Sequence, residues 1–178
     1  SKILQKRFFW DSIFYIDKTV LDPRPETELL VQSVIENLGQ SNDILDLGTG
    51  SGCIAISLAS ALNKVRVIGS DISNSALSIA RKNARLNDAK VTFIQSDWFQ
   101  NINMKFDIIV SNPPYISQDD FLNLPDDVRN FDPKVALFGG ADGLDCYRKI
   151  AFAISSYLNT GGRGFFEIGL GQKTDVVS

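Results

Sequence analysis

The chain contains no histidine. Histidine-based triads and the usual histidine metal sites are thereby excluded. Cysteine is scarce: Cys53 and Cys146 lie far apart and lack CxxC spacing. They form neither a disulfide framework nor a zinc site, and read as small buried apolar residues. An excess of positive charge is missing too, with Lys+Arg at 18, Asp+Glu at 21 and a net charge of −3. Domains that grip nucleic acid through phosphates carry a basic face, so this balance counts against direct DNA binding while leaving room for a local basic patch. No apolar run reaches membrane-spanning length, and residues 1–20 carry no signal-peptide pattern. The expectation is a cytoplasmic protein without a membrane partner. There are no internal repeats, low-complexity tracts or linkers. What remains is 178 residues, 44% hydrophobic and 22% charged, ordinary for one globular domain with a real core.

The order of apolar segments predicts the architecture. Phe8-Phe9-Trp10 and Ile13-Phe14-Tyr15-Ile16 read as an aromatic hairpin broken at Asp11-Ser12. Pro25, followed by Glu26 and Glu28, suits a helix start, because proline belongs in the first turn and acids near the positive end of the helix dipole. Leu30, Val34 and Leu38 continue that helix to Gly39. Short buried strands are expected at Ile44–Leu47, Val65–Ser70, Val91–Ile94, Phe106–Val110 and Gly164–Ile168, the last after a turn at Gly161-Gly162. Helices are expected over Cys53–Leu62, after a cap at Ser73 or Asn74, and along Tyr147, Ile150, Ile154 and Leu158. Residues 116–140 read as a long irregular insertion. Apolar strands alternating with amphipathic helices imply an α/β fold, a mostly parallel sheet with helices on both faces.

Chemistry-bearing residues cluster at the predicted strand ends. Gly48-Thr49-Gly50-Ser51-Gly52 follows the first strand of that sheet, and its glycines let the backbone turn tightly beside a ligand. The spacing is GxGxG. A dinucleotide fingerprint wants glycine or alanine at position 53, where Cys53 stands, so NAD and FAD are disfavoured. Asp71 ends the second strand about twenty residues after the loop, where an acid commonly holds ribose hydroxyls; it also suits a helix cap. Asp97-Trp98 follows the third strand. Its carboxylate can accept from an exocyclic amine and its indole can wall a purine, though the tryptophan equally suits the core. Asn112-Pro113-Pro114-Tyr115 closes the fourth strand as a rigid turn. Asn112 offers a side-chain carbonyl, Pro113 a backbone carbonyl and Tyr115 an aromatic face. Two acceptors and a flat surface suit a planar –NH2 group.

These segments, with Pro23-Arg24-Pro25-Glu26-Thr27-Glu28 before them and Ala136-Leu137-Phe138-Gly139-Gly140 and Asp142-Gly143-Leu144 after, resemble the release-factor glutamine methyltransferases. That group belongs to the class I S-adenosylmethionine-dependent enzymes, and the likeness runs through nearly the whole chain in the family's order. The resemblance implies a Rossmann-like class I methyltransferase fold. It implies that residues 48–52, Asp71 and Trp98 contact S-adenosyl-L-methionine with Asn112 beside the methyl donor; Asp97, by its place at the strand end, is expected to join them, and because that donor carries its own neutral thioether leaving group no metal is expected to be required. It implies that Asn112, Pro113, Pro114 and Tyr115 hold the acceptor glutamine, with Asn112, Pro113 and Tyr115 as catalytic residues. The product would be N5-methylglutamine, and the protein partners peptide chain release factors with a Gly-Gly-Gln loop.

Departures set further expectations. The family's N-terminal helical domain is expected to be absent, with residues 1–21 as a hairpin lead-in to a methyltransferase domain over 22–178. The family's final strand pair is expected to be missing as well. Asp132, in Phe131-Asp132-Pro133, stands where the family more often has Glu, and Asp22 where an apolar residue is commoner. Neither touches the implied chemistry. Three rivals share the core motifs: a glutamine methyltransferase acting on a ribosomal protein, a DNA adenine N6-methyltransferase, and a non-catalytic S-adenosylmethionine-binding subunit.

Overall fold

A computed structural model describes residues 5–40, 42–125, 128 and 132–177. Five strands make the main sheet: β3 (Asp43–Leu47), β4 (Arg66–Asp71), β5 (Val91–Gln95), β6 (Phe106–Ser111) and β7 (Leu158–Phe166). Their order is β5-β4-β3-β6-β7, and every pairing is parallel. A parallel sheet must bury both faces, and the alternation along its strands does so. Ile44, Val67, Ile108 and Val110 pack on one face with helices α1 (Thr27–Glu36) and α2 (Cys53–Ala61), together with Ala84 of α3 (Asn74–Leu86). Leu45, Leu47, Ile68 and Ile109 point to the other face. There they meet Phe99, Ile102 and Ile150, the last from helix α6 (Asp145–Tyr157). The expected α/β sheet with helices on both faces is therefore present. Short helices α4 (Gln118–Leu122), α5 (Lys134–Leu137) and α7 (Lys173–Val177) complete the described elements.

Helix starts follow from local chemistry. Ser73 caps α3, its hydroxyl accepting from Ala76 N at 3.2 Å. Pro25 lies two residues before α1, just outside the helix, and its carbonyl accepts from Glu28 N at 3.0 Å.

The separate hairpin, β1 (Lys6–Phe9) and β2 (Ser12–Tyr15), turns at Trp10-Asp11, one residue earlier than the sequence suggests. Phe9 and Phe14 already fill the inward face, edge to face at 6.0 Å. Trp10, only half-buried, is free to take the positive φ of 51° at the turn. The last strand differs from expectation at both ends. It begins at Leu158, and the register jumps from Phe106↔Leu158 to Ile108↔Arg163, so Gly161-Gly162 form a bulge inside the strand rather than a turn before it. Pairing stops at Ser111↔Phe166, which leaves Glu167 beyond the ladder.

Residues 116–140 are not simply irregular. Ile116 bridges Phe138 in parallel, Phe121 stacks edge-on against Phe138 at 5.9 Å, and α4 and α5 lie between. Phe131, adjoining Asp132, falls outside the described residues.

One buried polar side chain joins the hairpin to the sheet. Asn83 of α3 accepts from Tyr15 N at 2.7 Å and donates to Tyr15 O at 2.9 Å and to Ser51 O at 2.8 Å. Asn83→Ala leaves three backbone groups, one buried and two partly buried, without this partner. It should cost about 3 kcal/mol of stability, read from the urea midpoint at unchanged slope. An unchanged midpoint would remove Asn83 from this role.

Candidate functional site

Parallel pairing in this register brings the carboxyl ends of the strands to one level. Leu47 pairs Ser70 and Ser111, Asp71 pairs Gln95, and Ser111 pairs Phe166. The residues that leave those ends are the glycine loop, Asp71, Asp97-Trp98, Asn112 and Glu167. Chain order reverses between β3 and β6, and such a switch point opens a crevice in an α/β sheet. A cleft of about 660 Å³ lies there. Gly48, Thr49, Gly50, Ser51, Asp71, Asp97, Trp98, Asn112 and Pro114 all line it. The remaining three predicted site residues stand behind it. Gly52 packs on α3, where a Cβ would lie 3.2 Å from Ala80 Cβ. Pro113 is buried, and the half-buried Tyr115 sits beside Gly169.

The loop from 48 to 52 holds its glycines at φ of 70°, 55° and 83°, values that side-chain-bearing residues rarely adopt. Three contacts with β3 and β4 fix it. Thr49 N donates to Ser70 O at 2.8 Å, Gly50 N donates to Asp71 Oδ2 at 2.9 Å, and Thr49 Oγ1 donates to Asp46 Oδ2 at 2.6 Å. Asp71 Oδ1 also accepts from Ser73 N at 2.9 Å. Asp71 thus orders both the glycine loop and the start of α3, while one edge still faces the cleft. Burial raises its pKa, and the backbone N–H groups of Ser73 and Gly50 oppose that rise.

Asp46 escaped notice as a site residue because it sits inside an apolar strand. Its side chain is wholly buried under α2, and Oδ2 also accepts from Ala55 N at 3.2 Å. Oδ1 is buried without a hydrogen-bond partner in the protein. Burial pushes this carboxyl up to about 7, opposed by the Thr49 hydroxyl and Ala55 N–H.

Trp98 serves cleft and core together. It packs against the Phe99–Ile102 cluster, lines the cleft, and takes a φ of 49°, uncommon for so bulky a residue. Opposite, Asn112 Nδ2 donates to Thr27 Oγ1 at 3.2 Å, and Thr27 Oγ1 donates to Glu167 Oε2 at 2.7 Å. Burial raises the Glu167 pKa, while hydrogen bonds from Thr27 and Asn112 lower it. The same strand-end rule that singles out Asn112 would have found Glu167, had the last strand been ended at Phe166. The Asn-Pro-Pro-Tyr turn rests on Gly139: a Cβ there would lie 2.7 Å from Pro114 O and 2.8 Å from Tyr115 Cα, so only glycine allows the approach.

Sheet order, glycine loop and cleft define an α/β methyltransferase fold. Solved structures share it. A methyltransferase from Pyrococcus furiosus superposes with a TM-score of 0.70 at 19% identity, covering 99% of this chain and 76% of that one. An S-adenosylmethionine-dependent methyltransferase from Clostridium acetobutylicum gives 0.54 at 23% identity, covering 88% and 55%. Residues 18–124 match the family described as the methyltransferase small domain, and the chain belongs to it. Two proteins named release factor glutamine methyltransferase carry the likeness further. That of Lactococcus lactis subsp. lactis is 47% identical over 165 residues, covering 92% of this chain and 61% of its own length. That of Geobacter sulfurreducens is 40% identical over 176 residues, covering 98% and 62%. The resemblance read from the motifs therefore holds along nearly the whole chain, which spans about three-fifths of the length of these curated relatives.

The raised Asp46 pKa ties stability to pH. Folding lifts the value from 3.8 to about 7, so the folded protein keeps a proton that the unfolded chain releases. Stability falls as pH rises between those values and is flat with respect to this group outside them. Asp46→Asn should flatten the decline of melting temperature from about pH 4 to about pH 7. An identical slope in both proteins would show that Asp46 titrates normally.

Proposed function

We propose that this chain carries the catalytic core of an S-adenosylmethionine-dependent enzyme that methylates the side-chain amide nitrogen of a protein glutamine. The convergence of the glycine loop, Asp71, Trp98 and Asn112 on one cleft at the switch point carries this reading. The residues fit the cofactor. A Cβ at Gly48 would meet nothing within 4 Å, so the loop leaves open space above its backbone. A cleft of about 660 Å³ is of the size that takes a cofactor. Gly48 to Gly52 would cradle it, with the Asp71 carboxylate for ribose hydroxyls and Asp97 and Trp98 for the adenine. Bound there, S-adenosylmethionine supplies a methyl group on a sulfonium whose leaving group is a neutral thioether.

The protein's own task is to make an amide nitrogen react. That nitrogen is a poor nucleophile because its lone pair is delocalised into the carbonyl. The Asn112 Oδ1 and the Pro113 carbonyl would accept its two hydrogens and turn the lone pair toward the methyl group. The same oxygens stabilise positive charge as it grows on nitrogen. Catalysis on this reading is positioning with electrostatic preorganisation. Transfer would form the nitrogen–carbon bond at the expense of the donor's sulfur–carbon bond, with one amide proton leaving to solvent.

The Gly-Gly-Gln loop of a peptide chain release factor is the acceptor we infer, on the similarity to relatives so named. The cytoplasm is the compartment this reading requires. Residues 22–178 form the methyltransferase unit in it, with residues 1–21 as lead-in. Among the described residues no helix is long and apolar enough to cross a membrane.

Labelled methyl should pass to a release factor and not to DNA or ribosomal protein offered in parallel. Transfer to either of those alone would replace the proposed acceptor. Asn112→Ala should slow single-turnover transfer by about 10²–10³-fold with cofactor affinity retained. Tyr115→Phe should be milder than Tyr115→Ala, because it keeps the ring. A folded, cofactor-bound Asn112→Ala protein transferring at the normal rate would end the assignment. Asp71→Ala should instead weaken cofactor binding by about 1.5–3 kcal/mol in calorimetry. Unchanged affinity would leave Asp71 with only its structural bonds to Gly50 and Ser73.

A further inference from the structure

Three residues distant in sequence meet beside the Asn-Pro-Pro-Tyr turn. Thr27 opens α1, Asn112 leaves β6 and Glu167 leaves β7. Thr27 is 2% exposed, and Glu167 is partly buried. The backbone of Glu167 is held on both sides: its N–H donates to Ser111 O at 3.1 Å, and its carbonyl accepts from Tyr147 Oη at 2.8 Å. A carboxylate withdrawn from water in this way is costly unless its hydrogen bonds are put to use.

The order of donors and acceptors is forced. An ionised carboxylate only accepts. Thr27 has a single hydroxyl hydrogen, and at 2.7 Å from Glu167 Oε2 that hydrogen belongs to the carboxylate. The Thr27 oxygen then has only lone pairs to offer Asn112. Of the two ends of the Asn112 amide, only Nδ2 can donate to it, as the 3.2 Å contact shows. Oδ1 is therefore turned away from Thr27 and is the end left to accept from a target –NH2. Without this constraint the amide has two nearly isosteric orientations. The flipped one would set N–H against N–H.

We propose that Glu167 and Thr27 are positioning residues that fix the orientation of the Asn112 amide, so that its carbonyl and not its –NH2 meets the acceptor nitrogen. This rests on the glutamine-methylation reading above for its catalytic consequence, but the orientation itself does not. Glu167 reaches the reacting nitrogen only through the Asn112 amide, which it holds both directly and by way of the Thr27 hydroxyl. The relay also explains why α1 begins with a buried hydroxyl at a position that contributes nothing to the apolar core.

The test uses Thr27→Val, Thr27→Ser and Glu167→Gln, each alone and with Asn112→Ala. Thr27→Val is nearly isosteric and removes both hydrogen bonds. It should lower the single-turnover rate at saturating cofactor by about tenfold, the scale of one hydrogen bond lost in the transition state. Thr27→Ser keeps the hydroxyl and should recover most of that loss. Glu167→Gln replaces an obligate acceptor with a group that can also donate, so it should fall between them. In the Asn112→Ala background, Thr27→Val should cost less than about twofold, because there is no longer an amide to orient. A purely structural Thr27 would cost the same factor in both backgrounds, and that result overturns the proposal.

A second measurement needs no turnover. The Asn112 side-chain –NH2 hydrogens, followed by nitrogen-15 NMR, should exchange with solvent about tenfold faster in Thr27→Val than in the parent, as expected for one lost hydrogen bond. Equal exchange in the two proteins also overturns the proposal. If the parent transfers no methyl to glutamine, the proposed function falls, and the exchange measurement decides the orientation by itself.

Discussion

Strand β3 is buried on both faces and paired on both edges, and the cleft depends on that confinement. Ile44 faces the α1–α2 side, while Leu45 and Leu47 face the α6 side. β4 and β6 take up its backbone groups in register. A slip of one residue would send each side chain to the opposite face, so the register is strongly specified. Once it is set, the ends of the neighbouring strands are level with Leu47, and the loops that leave them must converge.

The convergence carries an electrostatic burden. Asp46, Asp71 and Glu167 are all withdrawn from water, and each has its pKa raised by burial. Each carboxylate is held by neutral N–H or O–H donors: Thr49 and Ala55 for Asp46, Gly50 and Ser73 for Asp71, and Thr27 and Asn112 for Glu167. Dipoles fixed by the fold can compensate a buried charge without the reorganisation that mobile side chains would need. The glycine loop is ordered by two of these carboxylates, so its shape is set by acids lying underneath and beside it.

Much of this was legible in the sequence. Apolar runs interrupted by glycine and proline located the five sheet strands, and the strand-end rule gathered Gly48, Asp71, Asp97 and Asn112. Two readings that looked like alternatives for Asp71 turned out compatible, because its carboxylate has room for a helix start, a loop amide and a cleft-facing edge. What could not be read was long-range pairing. The end of β7 is fixed by β6, some fifty residues earlier by the numbering, and until that register is known Glu167 looks like one more strand residue. Asn83 reads as a polar position in an amphipathic helix, and only the docked hairpin reveals what it serves. Thr27 is the same case. Gly139 appeared to belong to an irregular insertion because the backbone it rests against lies far along the chain.

Asn83 has a consequence beyond stability. One side chain holds both the Tyr15 backbone and the Ser51 carbonyl. The lead-in hairpin and the glycine loop cannot open independently, since releasing either strips partners from the same amide. They behave as one cooperative unit. Anything that quiets the loop therefore also quiets the hairpin, which packs against α3. By reciprocity, a molecule that grips the hairpin stiffens the loop before any cofactor arrives.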